Sequence, residues 1–173
     1  MDRRGDGGAA GALAAAAPQT ARIAGKLALP LVAVGLQAAI TGAVLVGVLH
    51  VQPAHPGAFA LTLAVTSVAF LLLVFALARV LGDLGRVLAI LLLVVQVSSA
   101  GAVLPIELSD TLHQALSPYL PLTWVVKAFR ATLFDAFDGQ WLPPLGIVAA
   151  FGAAALAAGT LWGGWRTVPA ADW

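Results

Sequence analysis

Along this chain, long runs without charge alternate with short clusters of charged residues. No Asp, Glu, Lys or Arg occurs from Leu27 to Ala78, from Val87 to Ile106, or from Gly139 to Trp165. Apolar helices of roughly 18–23 residues, at about 1.5 Å rise per residue, cross a hydrocarbon layer of about 30 Å. The pattern predicts four spans, at about 27–49, 58–80, 87–104 and 145–162. Pro53, Pro56 and Gly57 forbid continuous helix across the first connection. Leu81-Gly82-Asp83-Leu84-Gly85-Arg86 makes the second connection a tight turn. The first three spans therefore read as an antiparallel up-down-up unit. The expected fold class is all-α, a polytopic transmembrane helical bundle.

The interval 105–144 has a different texture, being amphipathic rather than uniformly apolar. Ser109 stands where an N-cap would precede Thr111 to Leu116, and Ser117-Pro118 breaks that helix. Pro121 opens a second helix that carries Thr123, Lys127, Arg130 and Asp138 at roughly helical spacing, with Trp124, Val125, Phe129, Leu133 and Phe137 on its other faces. Gly139 and Pro143-Pro144 end it. The expectation is a pair of short helices that lie in the interface or dip into the membrane and return. A complete fifth crossing would put Lys127 and Arg130 near the bilayer centre at a cost of several kcal/mol.

Composition agrees with the pattern. Of 173 residues 61% are hydrophobic and 10% charged, with nine basic and eight acidic side chains, and mean hydropathy is +0.97. Ordinary soluble domains carry about 25% charged residues, so a soluble enzyme is excluded as the main reading. A net charge of +1 offers nucleic acid no basic patch, and the absence of cysteine removes disulfide and thiolate chemistry. Residues 1–25, polar and rich in Ala and Gly, are expected to be a flexible N-terminus. With Leu13 as its one large apolar residue before Ile23, this stretch makes a poor signal peptide. Residues 26–168 form the membrane domain and 169–173 a short tail. Placing the N-terminus inside puts Arg3, Arg4, Arg22, Lys26, Arg79, Arg86 and Arg166 on the cytoplasmic side and leaves Lys127 and Arg130 outside. This positive-inside bias predicts an inner-membrane protein with both termini cytoplasmic. Trp141 then marks the outer boundary of the last span, and Trp162 and Trp165 its inner end.

Candidate chemistry is sparse. No GxxxxGK[ST] loop exists, so any ATP must be bound by another polypeptide. His50, His55 and His113 share the outer side but match no ligand spacing, and read as interfacial polar residues. Glu107 reads as a cap or ion-pairing residue for the short outer helices, with Arg130 as a partner. No nucleophile elbow with its triad is present, so no enzymatic activity and no cofactor or metal is expected. Apart from Arg79 at the cytoplasmic end of the second, the spans contain no ionisable residue, which argues against proton-coupled transport. Gln37, Gln96, Ser98 and Ser99 are candidate pathway residues, beside the plainer role of interhelical hydrogen bonding. Small residues recur four apart at Gly35/Ala39, Ala38/Gly42, Ala43/Gly47 and Gly159/Gly163, marking the first and last spans as packing or dimer faces.

One stretch resembles a known family. It runs Ser98-Ser99-Ala100-Gly101-Ala102-Val103-Leu104-Pro105-Ile106-Glu107, continues with Leu116-Ser117-Pro118-Tyr119-Leu120-Pro121-Leu122-Thr123-Trp124, and ends Ala128-Phe129-Arg130. These residues look like the C-terminal membrane module of the YhgE/Pip (phage infection protein) family, which belongs with type-2 ABC exporter permeases. Lys26 to Gln37, with Pro30, resembles the start of the family's third membrane helix, so the likeness covers about residues 26–168. Ala102, Leu104 and Trp124 depart from the residues usual at those places. Family members have six spans and a large extracytoplasmic region between the first two, and this sequence shows neither those two spans nor that region. The resemblance implies an extracytoplasmic re-entrant pair at 105–144. Pro105, Glu107, Pro118, Pro121 and Arg130 would shape a gate there as structural residues. The expected function is a permease-like subunit of an ABC-type exporter, completed by a second copy or a partner membrane chain and driven by a separate cytoplasmic ATPase. The alternative expectation is a non-transporting membrane scaffold, or a truncated remnant, that binds a partner at its outer face.

Overall fold

The computed structural model describes residues 19–99, 115 and 117–162. Among them the structure is helical and without strands. Helix α1 spans Gln19–Ala43 and runs on into one wide π turn, Val44–Val48; α2 is Pro56–Leu81, α3 is Asp83–Ser99, α4 is Pro121–Phe134 and α5 is Leu142–Leu161. A short 3₁₀ turn, Ser117–Tyr119, precedes α4. Among the described residues three helical segments are long and apolar enough to cross a membrane: Gly25–Val48, Pro56–Leu81 and Leu142–Leu161. This is a membrane protein by that criterion. The described part of α3 has 17 residues. Helix α1 starts ahead of the expected span, so residues 19–25 are helical where flexible chain was predicted. Ala21, Ile23 and Ala24 give that turn no reason to break.

Helix α2 is the hub, packing against α1, α3, α4 and α5, with its most extensive contact to α5. Lipid is as apolar as leucine and cannot drive helices together by the hydrophobic effect, so close van der Waals approach must hold this seam. Small residues supply it. Thr62, Ala69 and Ala76 recur every seven residues and are buried on α2; Leu145, Val148, Gly152 and Gly159 are buried on α5 at spacings of three, four and seven. A Cβ at Gly152 would lie 3.0 Å from the Ala69 Cα, and one at Gly159 would lie 3.2 Å from the Ala76 Cα. Sequence numbers rise together along both helices, so α2 and α5 run parallel. The buried hydroxyl of Thr62 is satisfied within its own helix, donating to the Ala58 carbonyl at 2.8 Å.

The α2–α3 connection is tighter than its six-residue motif requires. Gly82 has φ 65° and ψ −130°, a conformation open essentially to glycine alone. Gly85, buried in the first turn of α3, lies directly on the last turn of α2. A Cβ there would collide with the Leu77 carbonyl group and stand 2.9 Å from the Ala78 nitrogen. Asp83 and Arg86 add an exposed i,i+3 ion pair at 3.0 Å, a kind of contact that contributes little.

Helix α4, with 14 residues, is shorter than its neighbours and fits beside α2 and α5. Its contacts form a ladder. The Thr132 and Leu133 carbonyls accept from His55 N–H at 3.0 Å and Ala54 N–H at 3.2 Å. One turn back, the Phe129 ring meets Phe59 edge-on at 5.8 Å. Further back, Val125 joins Ala69 and Val148 in the buried core. At the far end the Leu122 N–H donates to Gln96 of α3. Helix α4 thus ends beside the α1–α2 loop and begins deep in the bundle. Ala128 and Ala131, both fully buried, allow the close fit. The predicted polar stripe differs in two places. Thr123 is buried, and Asp138 lies beyond the helix, which stops at Phe134. The reason is Asp135, which takes a left-handed conformation (φ 55°) and, with Ala136, returns its N–H to the Arg130 carbonyl.

Candidate functional site

Three of the residues singled out from sequence, Gln96, Pro118 and Pro121, meet at the start of α4. Pro121 is its first residue, where proline's missing N–H costs nothing and its fixed φ suits the helix. Leu120 before it is extended, as proline requires of its predecessor. The preceding turn folds back on the helix: the Leu120 N–H donates to the Ser117 carbonyl at 3.2 Å. The buried Ser117 and Thr123 hydroxyls meet at 3.1 Å, and the Trp124 indole N–H donates to the Pro118 carbonyl at 2.9 Å. Ser117 to Trp124 is thereby a self-capped corner.

Gln96 completes it from another helix. Its side chain is 2% exposed, and its Oε1 accepts from the Leu122 N–H at 3.1 Å. That N–H belongs to the first turn of α4, where no intrahelical acceptor exists. Gln96 therefore acts as a long-range N-terminal cap that ties α3 to α4. Replacing it with leucine should leave a buried N–H unsatisfied, at a cost of about 1–3 kcal/mol. Hydrogen exchange at Leu122 should then quicken about tenfold or more, and unchanged exchange would remove this role.

The other candidates are placed as follows. Pro118 is exposed in the 3₁₀ turn and Arg130 is exposed on α4. Gln37 stands apart, on α1, in a cleft of about 340 Å³ shared with Ser67 and Phe70 of α2. Ser98 and Ser99 lie in the last turn of α3. Pro105 and Glu107 lie outside the described residues. Of the small-residue pairs, Ala38 is buried and Gly42 approaches Leu63 of α2, whereas a Cβ at Gly35 or Gly47 would meet nothing within 4 Å among the described residues. Gly163 lies outside the described residues.

Several contacts escaped the sequence reading. Lys127 places its ammonium 4.5 Å from the centre of the Trp124 ring; their i,i+3 spacing on one helix was the available signal. His55 Nε2 lies 2.9 Å from Asp135 Oδ1 across 80 residues, a separation that left no local trace. Gly139, with φ 67°, sits against both of these side chains, within a loop where Asp135, Phe137 and Asp138 also have positive φ. The His50 Nδ1 is bonded to the Val48 carbonyl at 2.9 Å. Both histidines thus serve as loop fasteners. What the site offers is a short helix fixed at both ends.

Comparison with known proteins finds one region of similarity to report. Over 78 residues the chain is 35% identical to a Bacillus subtilis (strain 168) protein described as uncharacterized protein YhgE. The match covers 44% of this chain and 10% of that protein, so the shared region is a small part of the relative's length. It is consistent with the YhgE family. No family model matches the chain, and no solved structure matches it.

Proposed function

We propose that this chain is a permease-like membrane subunit of a YhgE/Pip-like, ABC-type exporter. In this reading it forms part of a translocation pathway with a second copy or a partner membrane chain. A separate cytoplasmic ATPase drives it, and the chain itself catalyses nothing. Helix α3 is a fourth crossing, the termini face the cytoplasm, and the α1–α2 loop faces outward in the inner membrane. Helix α4 is the returning limb of a re-entrant segment. The observation that carries the reading is α4 itself. It is a 14-residue helix, too short to cross, held at its inner tip by Gln96 and at its rim by the His55 loop, between the longer α2 and α5. Irregular backbone at such depth is tolerated where protein or a cavity covers it, and Pro118 and Pro121 shape that corner. The similarity to YhgE adds support.

Copurification from native membranes tests the assembly. Self-association or a bound membrane chain, together with an ATPase, is expected; recovery of a lone chain would sink the proposal. Topology is tested separately with single cysteines. Ala54→Cys should react with an impermeant thiol reagent added outside intact cells, and Leu84→Cys should react only after permeabilisation. The opposite pattern would invert the orientation.

A further inference from the structure

We infer that the exposed stripe of α4 binds the phosphate head of an anionic phospholipid at the outer edge of the bilayer. This rests on the reading that α4 lies in the membrane with its C-terminal end at the outer face.

The level of the stripe follows from the seam. Gly152 stands opposite Ala69 and Gly159 opposite Ala76 on parallel helices, so Leu142 is level with Phe59. The 20 residues of α5 from Leu142 cover about 30 Å, one hydrocarbon thickness. Phe129 packs on Phe59 and therefore sits at the outer edge of that slab. Arg130 lies at the edge, and Lys127 lies about 3 Å inside it at helical rise.

The stripe faces away from the bundle. Val125, Ala128 and Thr132 are buried, while Lys127, Arg130 and Phe134 are exposed and Trp124 is partly so. Two cations one turn apart, flanked by aromatic rings, suit a ligand that is anionic at one point and apolar elsewhere. Lys127 does not reach up toward water. Its ammonium lies over the Trp124 ring, toward the inner end of α4, and that ring is pinned by its bond to Pro118. A cation held just inside the hydrocarbon edge gains from a phosphate brought to it. The acyl chains of such a lipid would run inward past Trp124 and the exposed Tyr119.

The test uses the full chain with Trp141, Trp162, Trp165 and Trp173 replaced by Phe, so that Trp124 alone emits. It is reconstituted in phosphatidylcholine bilayers and titrated with phosphatidylglycerol brominated on the upper part of its acyl chains. Each Lys or Arg near such a surface is worth about 1 kcal/mol. Half-quenching should therefore need about fivefold more lipid in Lys127→Gln and about thirtyfold more in the double variant with Arg130→Gln. Lys127→Arg should restore most of the preference. If the four replacements prevent folding, the wild-type chain and its double Gln variant are compared on total emission. Equal quenching by brominated phosphatidylcholine and phosphatidylglycerol, unchanged in the double variant, would overturn the lipid site alone. Quenching by neither lipid would remove α4 from the membrane, and the re-entrant reading with it.

Discussion

Gly85→Ala should destabilise the folded protein by about 3 kcal/mol or more, although it adds a single methyl group on a helix. In an ordinary helix the change would stabilise by up to about 1 kcal/mol, since alanine is the better helix former. Here the added carbon falls on the Leu77 carbonyl group and within 2.9 Å of the Ala78 nitrogen. Both belong to the backbone of α2, so no side-chain rotation relieves the clash. Either α3 moves off α2 or the Gly82 turn opens, and Gly82 holds a backbone geometry that leaves little slack. Overpacking costs of about 1–3 kcal/mol are usual where side chains can adjust, and this site should lie at or above the top of that range. The measurement is unfolding in detergent, compared with Gly57→Ala, whose added carbon meets nothing within 4 Å. A Gly85→Ala protein as stable as that control would show that the turn is not built as described.

Gly152→Leu should separate α5 from α2 and cost about 3 kcal/mol or more, by loss of the seam's van der Waals contact and by direct collision. The smaller Gly152→Ala should cost about 1–3 kcal/mol, because Ala69 offers backbone at 3.0 Å and its own methyl at 3.1 Å. Reversible unfolding in mixed micelles reads the difference. The diagnostic combination is Gly152→Ala with Ala69→Gly. Removing the opposing methyl should recover part of the loss, a non-additivity expected of residues in contact. Gly146→Ala, on the open side of the same helix, should be neutral within about 0.5 kcal/mol. Additive effects at 69 and 152 would mean that the two helices do not meet there.

The long helices were legible because a charge-free run of twenty residues has few other ways to exist. The partner of each helix was not. Four-apart small residues say that a backbone can be approached, not by what. Thus the four-apart pattern includes Gly159, whereas Gly152 has no small residue four positions away and yet packs closer. Gly35 and Gly47 carry the same signature, and a Cβ at either meets nothing within 4 Å among the described residues. The corner at Ser117 to Trp124 stood out as a motif, and its prolines do what prolines do locally. Its long-range tie did not stand out: Gln96 was visible as a polar residue in an apolar span, but its partner is a backbone N–H 26 residues away. Thr123 was assigned to the exposed stripe by angle alone, and the Ser117 hydroxyl turns it inward. Pro105 and Glu107 lie outside the described residues, so the gate proposed around them stands on the resemblance.

The bond between Gln96 and Leu122 makes α3 a lever. Its fulcrum is Gly82, and the fourteen residues of helix from Asp83 to Gln96 form an arm of about 20 Å. A tilt of about 5° at the fulcrum sweeps the tip through roughly 2 Å, more than a hydrogen bond can stretch. Movement at one end of the hairpin must therefore carry the start of α4 with it or break that bond, and nothing between these two outcomes is mechanically open to the helix.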